Sequence, residues 1–183
     1  MTINHQIARL VAACCLSLFF SVAAFAHDPG LSAAVLKLNG ERVEVHLTYA
    51  RADIELLVPL DTDRDGIVTA SEFTQAKPQL ESLAAETIFI SANDHAVPVS
   101  FNVVELDDSN GVHFRFSFIR PKDASFVLQS NLIERLPRGH RQYVELIGGE
   151  TVIGSKMLMA GATIYQPTAA ALTEADQLAN AGC

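Results

Sequence analysis

Apolar and polar residues alternate along several short stretches of the chain, and this period of two most narrows the folds available to it. Asn39-Gly40 separates two such stretches, and an Asn-Gly pair between alternating runs is the strongest short-range signal for a β-hairpin. After this turn, Val43, Val45 and Leu47 alternate with polar residues. The pattern predicts strands with one face in a core and the other in water.

A second hairpin of the same design is predicted around Asn110-Gly111, where Phe114 and Phe116 share one face and His113 lies on the other. Further strands are predicted in the stretches "SFVLQS", "RQYVELIGGETVIGSKML" and "ATIYQ". Many short strands joined by tight turns are typical of two packed sheets or an open barrel. We therefore expect a mainly β fold, an antiparallel β-sandwich of Ig-like or open-barrel form.

One region, at about 51–87, has a helical period instead and is predicted to be an insertion between strands. Pro78 lies inside it and is expected to begin a new helix, because proline fits the first turn and disrupts an interior. The β-domain is assigned to 27–166. Residues 167–183 are small and polar, which predicts a flexible C-terminal tail, loose or weakly helical.

Residues 1–26 have the pattern of a secretory signal peptide: one basic residue, an apolar run and small residues before the expected cleavage after Ala26. The prediction is therefore a periplasmic or secreted protein. No later stretch has the length of a membrane span, so none is expected after cleavage. Both leader cysteines would be removed, leaving Cys183 without an internal disulfide partner.

The chain of 183 residues is acidic, with a net charge of −8, and the leader carries no acidic residue. Such a charge opposes binding to nucleic acid or to an anionic membrane surface, and it suits cations.

The acidic charge is concentrated in "DTDRDGIVTASE", residues 61–72. Ca²⁺ takes six to eight oxygens, and alternate aspartates, a glycine at the bend and a closing glutamate can supply them as the chain wraps. The stretch resembles the EF-hand calcium loop at each defining position. Side-chain and backbone oxygens of six residues are the expected Ca²⁺ ligands: Asp61, Asp63, Asp65, Ile67 through its carbonyl, Thr69 through a water, and Glu72.

The sequence departs from the EF-hand pattern in two ways. EF-hand loops usually occur in pairs, and no second loop is found, since the acidic stretch at 105–113 lacks the closing glutamate. Pro59 also shortens the helix that enters the loop. Extracellular modules of this type bind calcium at about 10⁻⁴–10⁻³ M. We therefore expect a structural ion rather than a cooperative sensor.

A transition metal is the alternative. After cleavage, the α-amine and ring of His27 could chelate Cu²⁺ or Ni²⁺ together, with His46 or His113 completing the site. Otherwise His46 and His113 are expected to be solvated on polar strand faces, and His95 and His140 to lie at the surface in turns.

No catalytic residues are predicted. The serines considered, Ser71, Ser91 and Ser117, lack a nucleophile-elbow context, and no phosphate-binding glycine loop occurs. The sequence therefore favours a binding or accessory protein over an enzyme.

The stretches "HDPGLSAAVLKLNGERVEVHLTYARADIELLVPLD", "VELDDSNGVHFRFSF" and "LPRGHRQYVEL" resemble the exported N-terminal domain of HupE/UreJ-type proteins, a family associated with nickel or cobalt transport. This sequence lacks the membrane helices of that family. The resemblance implies an accessory role beside an envelope protein or membrane transporter.

Overall fold

The computed structural model describes residues 30–121 and 124–181, with side chains up to residue 178. The signal peptide predicted at 1–26, the histidine at position 27 and Cys183 lie outside these residues. No helix in the described ranges is both long enough and apolar enough to cross a membrane.

The described residues contain ten strands, three α-helices and a 3-10 helix at Leu132–Arg135. In chain order the strands and α-helices are β1 (Leu31–Asn39), β2 (Arg42–Ala50), α1 (Arg51–Glu55), α2 (Ala70–Thr87), β3 (Ile88–Ala92), β4 (His95–Ala96), β5 (Val99–Leu106), β6 (Gly111–Ile119), β7 (Phe126–Ser130), β8 (Arg141–Gly148), β9 (Thr151–Met159), β10 (Ile164–Tyr165) and α3 (Ala169–Ala181).

The strands form two open sheets, which confirms the mainly β, two-layer prediction. The larger sheet has the order β5-β6-β2-β1-β8-β9, and the smaller has the order β10-β7-β3-β4. Most neighbouring strands are antiparallel, and one pair, β1 and β8, is parallel. The chain passes through the second sheet between these two strands, and a crossover of that length allows it to return in the same direction.

The core lies between the sheets and is built by the inward-facing residues of the alternating stretches. Phe118 of β6 and Phe126 of β7 meet edge to face across the layers, with ring centroids 5.3 Å apart. Such aromatic contacts add to the hydrophobic stabilisation of burial. The completely buried members of this core include Leu36, Leu38, Val43, Leu47, Phe114, Phe126, Leu128, Val144 and Leu146.

Helices α1 and α2 lie between β2 and β3, in the range assigned to a helical insertion. Helix α2 buries Leu80, Leu83 and Ala84 on one face. The sequence predicts that Pro78 begins a new helix, and this prediction is wrong. Pro78 lies inside the continuous helix α2, on its exposed side. At an exposed position, water can donate to the helix carbonyl that the missing proline N–H leaves without a partner.

Residues 169–181 of the C-terminal segment, where a loose or weakly helical tail is expected, form helix α3. Helix α3 buries Leu172 and Ala175 against the larger sheet. Arg120, at the end of β6, donates to both carboxylate oxygens of Asp176 at 2.7 Å. Leu172 and Ala175 are three positions apart and therefore lie on one face of the helix. Their burial and the Arg120–Asp176 ion pair hold α3 against the larger sheet.

Candidate metal centre

The acidic loop is held between a short helix and a long one. Helix α1 ends after five residues, where the N–H groups of Leu57 and Val58 both donate to the Ile54 carbonyl at 2.9 Å. Leu60 then enters the core with no exposed surface, and Val68 packs against the same core at the far end of the loop. These two apolar anchors leave the residues between them to curl outside the core.

Three aspartates of the loop come together. Asp61, Asp63 and Asp65 each present a carboxylate oxygen within 4.8 Å of the others. Asp63 and Asp65 are exposed, whereas the Oδ1 atom of Asp61 is buried and has no hydrogen-bond partner. A buried carboxylate oxygen without a donor is costly, and a bound cation is one way to satisfy it. The converging oxygens therefore fit a cation.

Backbone geometry turns the carboxylates inward. Gly66 has φ +92°, a backbone conformation that residues other than glycine rarely adopt. Its N–H donates to Asp61 Oδ2 at 2.8 Å. The N–H of Ile67 donates to Asp65 Oδ1 at 2.8 Å. These bonds fix the direction of two of the three carboxylates before any ion arrives.

Thr69 and Glu72 form the N-terminal cap of α2. The Thr69 hydroxyl accepts from the Glu72 N–H, and Glu72 Oε2 accepts from the Thr69 N–H at 2.9 Å. Glu72 Oε1 accepts from the N–H and the hydroxyl of Thr62 at 2.8 and 2.9 Å. Donors from Thr69 and then Thr62 lower the pKa of the Glu72 carboxyl to about 2, so this side chain is ionised at neutral pH.

The six expected ligands are therefore not all gathered. The structure brings Asp61, Asp63 and Asp65 together, while Glu72 is engaged in the cap and in holding Thr62. The Ile67 side chain is 66% exposed, in keeping with a residue whose expected contribution is its carbonyl. Carboxylate oxygens without nitrogen or sulfur favour a hard cation of the Ca²⁺, Mg²⁺ or Mn²⁺ class.

His46 and His113 lie on the outer face of the larger sheet. From the sequence they are expected to be solvated, but they contact each other. His46 Nε2 lies 3.0 Å from His113 Nδ1, and the Thr48 hydroxyl lies 3.1 Å from the same Nδ1 atom. Both rings are partly buried. On its other side, His113 Nε2 lies 2.7 Å from Asp107 Oδ2. Burial, followed by Arg115 and His113, lowers the pKa of His46 to about 4.

The sequence pattern does not predict the buried polar cluster that surrounds His140. His140, expected at the surface, is 2% exposed, and its Nε2 lies 2.9 Å from the Ser32 hydroxyl. Its Nδ1 lies 3.6 Å from Asp53 Oδ2, and Asp53 accepts from the Gly30 N–H at 3.1 Å. Burial lowers the pKa of His140 and Asp53 opposes this. The "PRGH" turn gives no pattern that signals burial.

This cluster joins three separate elements, and Asp53 and His140 also line a pocket of about 380 Å³ with Gly30, Pro137 and Arg141. All three side chains are at most 3% exposed: Ser32 on β1, Asp53 on α1, and His140 directly before β8. A serine nucleophile must reach its substrate, and Ser32 is enclosed. The arrangement therefore ties the start of β1 to α1 and β8 through hydrogen bonds in the interior.

The sequence predicts that the histidine at position 27 could chelate a transition metal. That residue lies outside the described residues. No protein-family model matches the chain, and no curated protein matches it significantly.

Proposed function

We propose that this protein binds one Ca²⁺ ion in the 61–72 loop and that the ion stabilises the fold. The convergence of the Asp61, Asp63 and Asp65 carboxylates, with the buried Asp61 Oδ1 lacking a donor, carries the proposal. An ion at this centre would neutralise like charges that otherwise repel at short range. Asp61, Asp63 and Asp65 would bind it directly, and the Ile67 carbonyl, Thr69 and Glu72 would complete the shell.

Glu72 would join this shell by exchanging its hydrogen bonds with Thr62 for the ion. Its carboxylate already spans the loop, because one oxygen holds Thr62 near the beginning and the other holds Thr69 at the end. The loop is thus closed by hydrogen bonds before metal binds. A nearly closed loop requires little rearrangement on binding, which suits a structural ion.

The wider setting that we propose is an exported accessory module, periplasmic or secreted. The signal-peptide pattern at 1–26 and the acidic composition support export and cation binding. Extracellular modules of this type have a Kd for calcium of about 10⁻⁴–10⁻³ M, so millimolar calcium would fill at least about half of such sites. The role beside a membrane transporter depends on the sequence resemblance to HupE/UreJ-type domains.

Calcium titration by calorimetry tests the proposal. The chain should bind one Ca²⁺ with Kd of about 10⁻⁴–10⁻³ M. Asp63→Asn should weaken binding at least about tenfold, because affinity follows the number of ligand charges. Asp108→Asn is the matched control, since Asp108 is an exposed aspartate in the neighbouring turn. Equal calcium binding by all three proteins would refute the loop as the site.

A further inference from the structure

The outer face of the larger sheet carries a histidine pair that the calcium proposal does not use. In the β2–β6 ladder, Thr48 lies opposite His113 and His46 lies opposite Arg115. The two histidines are therefore diagonal neighbours on one face, where long side chains can reach each other. Antiparallel pairing, rather than proximity in the chain, brings them together.

The distance between the two ring nitrogens matches that of two ligands on one metal. Nitrogens bound at about 2.0–2.1 Å with an angle of about 90–110° lie about 2.9–3.4 Å apart. His46 Nε2 and His113 Nδ1 are 3.0 Å apart. The Thr48 hydroxyl, 3.1 Å from His113 Nδ1, adds an oxygen beside them that can bind the ion or a water on it.

Asp107 orients His113 as carboxylates orient metal-binding histidines. A carboxylate only accepts hydrogen bonds, so the 2.7 Å contact with Asp107 Oδ2 places the proton of His113 on Nε2. In the neutral ring, Nδ1 then carries a lone pair that accepts a hydrogen bond from the His46 Nε2–H, and a metal ion bound to both nitrogens would take the place of that proton. Carboxylate–histidine pairs of this kind fix the tautomer at metal sites and raise the basicity of the ligand.

The charges around the pair favour a cation. Arg115 lies beside His46, but its guanidinium is 3.2 Å from the Glu105 carboxylate, which lies opposite His113 on β5. Asp107 adds a second negative charge on the same side. Glu105 offsets only part of the charge of Arg115 at His46, where Arg115 still contributes to the lowered pKa. With Asp107 included, the three charged side chains carry one more negative than positive charge.

We infer that His46 and His113 form a second metal site, separate from the calcium loop, that binds a divalent transition ion with Asp107 positioning His113. Imidazole ligands select Cu²⁺, Ni²⁺ and Zn²⁺ over Ca²⁺, and Cu²⁺ is expected to bind most tightly. The site needs neither His27 nor the aspartates of the loop. The histidine site can therefore be tested independently of the proposed calcium function.

Zinc and copper titrations of the full chain test the inference. Every protein carries His27→Ala, which removes the imidazole at position 27. Every titration is done in millimolar Ca²⁺, which occupies the acidic loop if that loop binds it. Calorimetry with Zn²⁺ should give one site, and electron paramagnetic resonance with Cu²⁺ should show nitrogen coupling from two imidazoles.

Substitutions then assign the ligands. His46→Gln and His113→Gln should each weaken Zn²⁺ binding at least about tenfold, and Asp107→Asn about 10–100-fold, as expected for a lost orienting carboxylate. His95→Gln is the matched control, because His95 is exposed in the other sheet. Circular dichroism verifies folding, and if His113→Gln fails to fold, His46→Gln decides alone.

Two results would overturn the inference. One is a His27→Ala protein that binds neither Zn²⁺ nor Cu²⁺. The other is a folded His46→Gln protein whose affinity and Cu²⁺ spectrum equal those of its parent. Loss of calcium binding in Asp63→Asn with zinc binding retained would separate this site from the calcium loop.

Discussion

At the scale of single residues, the protein contains polar groups whose environment differs greatly from water. Asp61 keeps one buried oxygen without a donor, while Glu72 receives four hydrogen bonds that lower its pKa. Tyr49 is fully buried between the sheets and accepts from the Gln142 side chain at 2.9 Å. Such groups make stability depend on what they bind, whether a proton or an ion.

Tyr49 should make the protein sensitive to alkali. Burial raises the pKa of its hydroxyl to about 12, above the value of about 10 in an unfolded chain. The folded state therefore retains a proton that the unfolded state loses, and the free energy of unfolding should fall as pH rises from 10 through 12. Two pKa units correspond to about 2.7 kcal/mol.

Urea unfolding of the wild type and Tyr49→Phe between about pH 9 and pH 12 measures this effect. The variant loses the hydrogen bond with Gln142, about 1 kcal/mol at every pH, but should lack the added alkaline loss. The expectation fails if both proteins lose stability in parallel above pH 10.

At the scale of elements, close packing of α3 on β8 determines the C-terminal part of the fold. A Cβ placed on Gly148 would lie 2.5 Å from the Ala175 Cα atom, closer than real atoms approach. The helix backbone therefore rests on a glycine of the strand. The Arg120–Asp176 ion pair, with Arg120 only 7% exposed, fixes the other side of the helix.

Gly148→Ala should displace α3 and lower the free energy of unfolding by about 1–3 kcal/mol, the usual cost of overpacking. Gly154→Ala is the matched control on β9, because its added carbon would meet side-chain atoms alone, the Tyr165 hydroxyl at 3.1 Å and the Leu146 Cβ atom at 4.0 Å. Denaturant unfolding compares the two. A Gly148→Ala protein as stable as Gly154→Ala would contradict this account of the helix contact.

At the scale of the whole molecule, the acidic loop is built onto one end of the larger sheet. The Arg51 N–H of α1 donates to the Asn110 carbonyl in the β5–β6 turn at 2.8 Å. A groove of about 520 Å³ separates the loop from that turn, with Ile67, Phe73, Leu106 and Asp107 among its walls. Helix α1, which leads into the loop, has only five residues and is hydrogen-bonded to the β5–β6 turn. It therefore has little freedom to swing away from α2, as the helices of a calcium sensor do when calcium binds.

Calcium should therefore stabilise this molecule without exposing apolar surface. At a concentration of one hundred times Kd, a single site adds about 2.7 kcal/mol, which raises Tm by about 5–10 °C for a domain of this size. EGTA should reverse the shift, and fluorescence of an apolar dye should not change. Because its affinity for calcium is at least about tenfold lower, Asp63→Asn should show about half of this shift or less at the same calcium concentration. A rise in dye fluorescence with calcium would indicate a sensor instead.

The local sequence was sufficient for the features that arise from neighbouring residues. Alternation predicted the strand faces of β2 and β6, Asn-Gly pairs marked two turns, and the spacing of Asp61, Asp63 and Asp65 predicted that their carboxylates meet. Each depends on backbone geometry within a few residues, which repeats wherever the pattern occurs. The packed helix α3 was not predicted, because its buried stripe is short and its ion-pair partner lies 56 residues away.

Tertiary structure alone determined which distant residues meet. It made β1 parallel to β8, placed His46 beside His113, and buried His140 against Ser32, residues that are 108 positions apart. No local pattern encodes such contacts, because strand order and register are set by how all the buried faces pack together. The sequence by itself determined the acidic loop and the strand faces, and the packing of the sheets decided which histidines became neighbours.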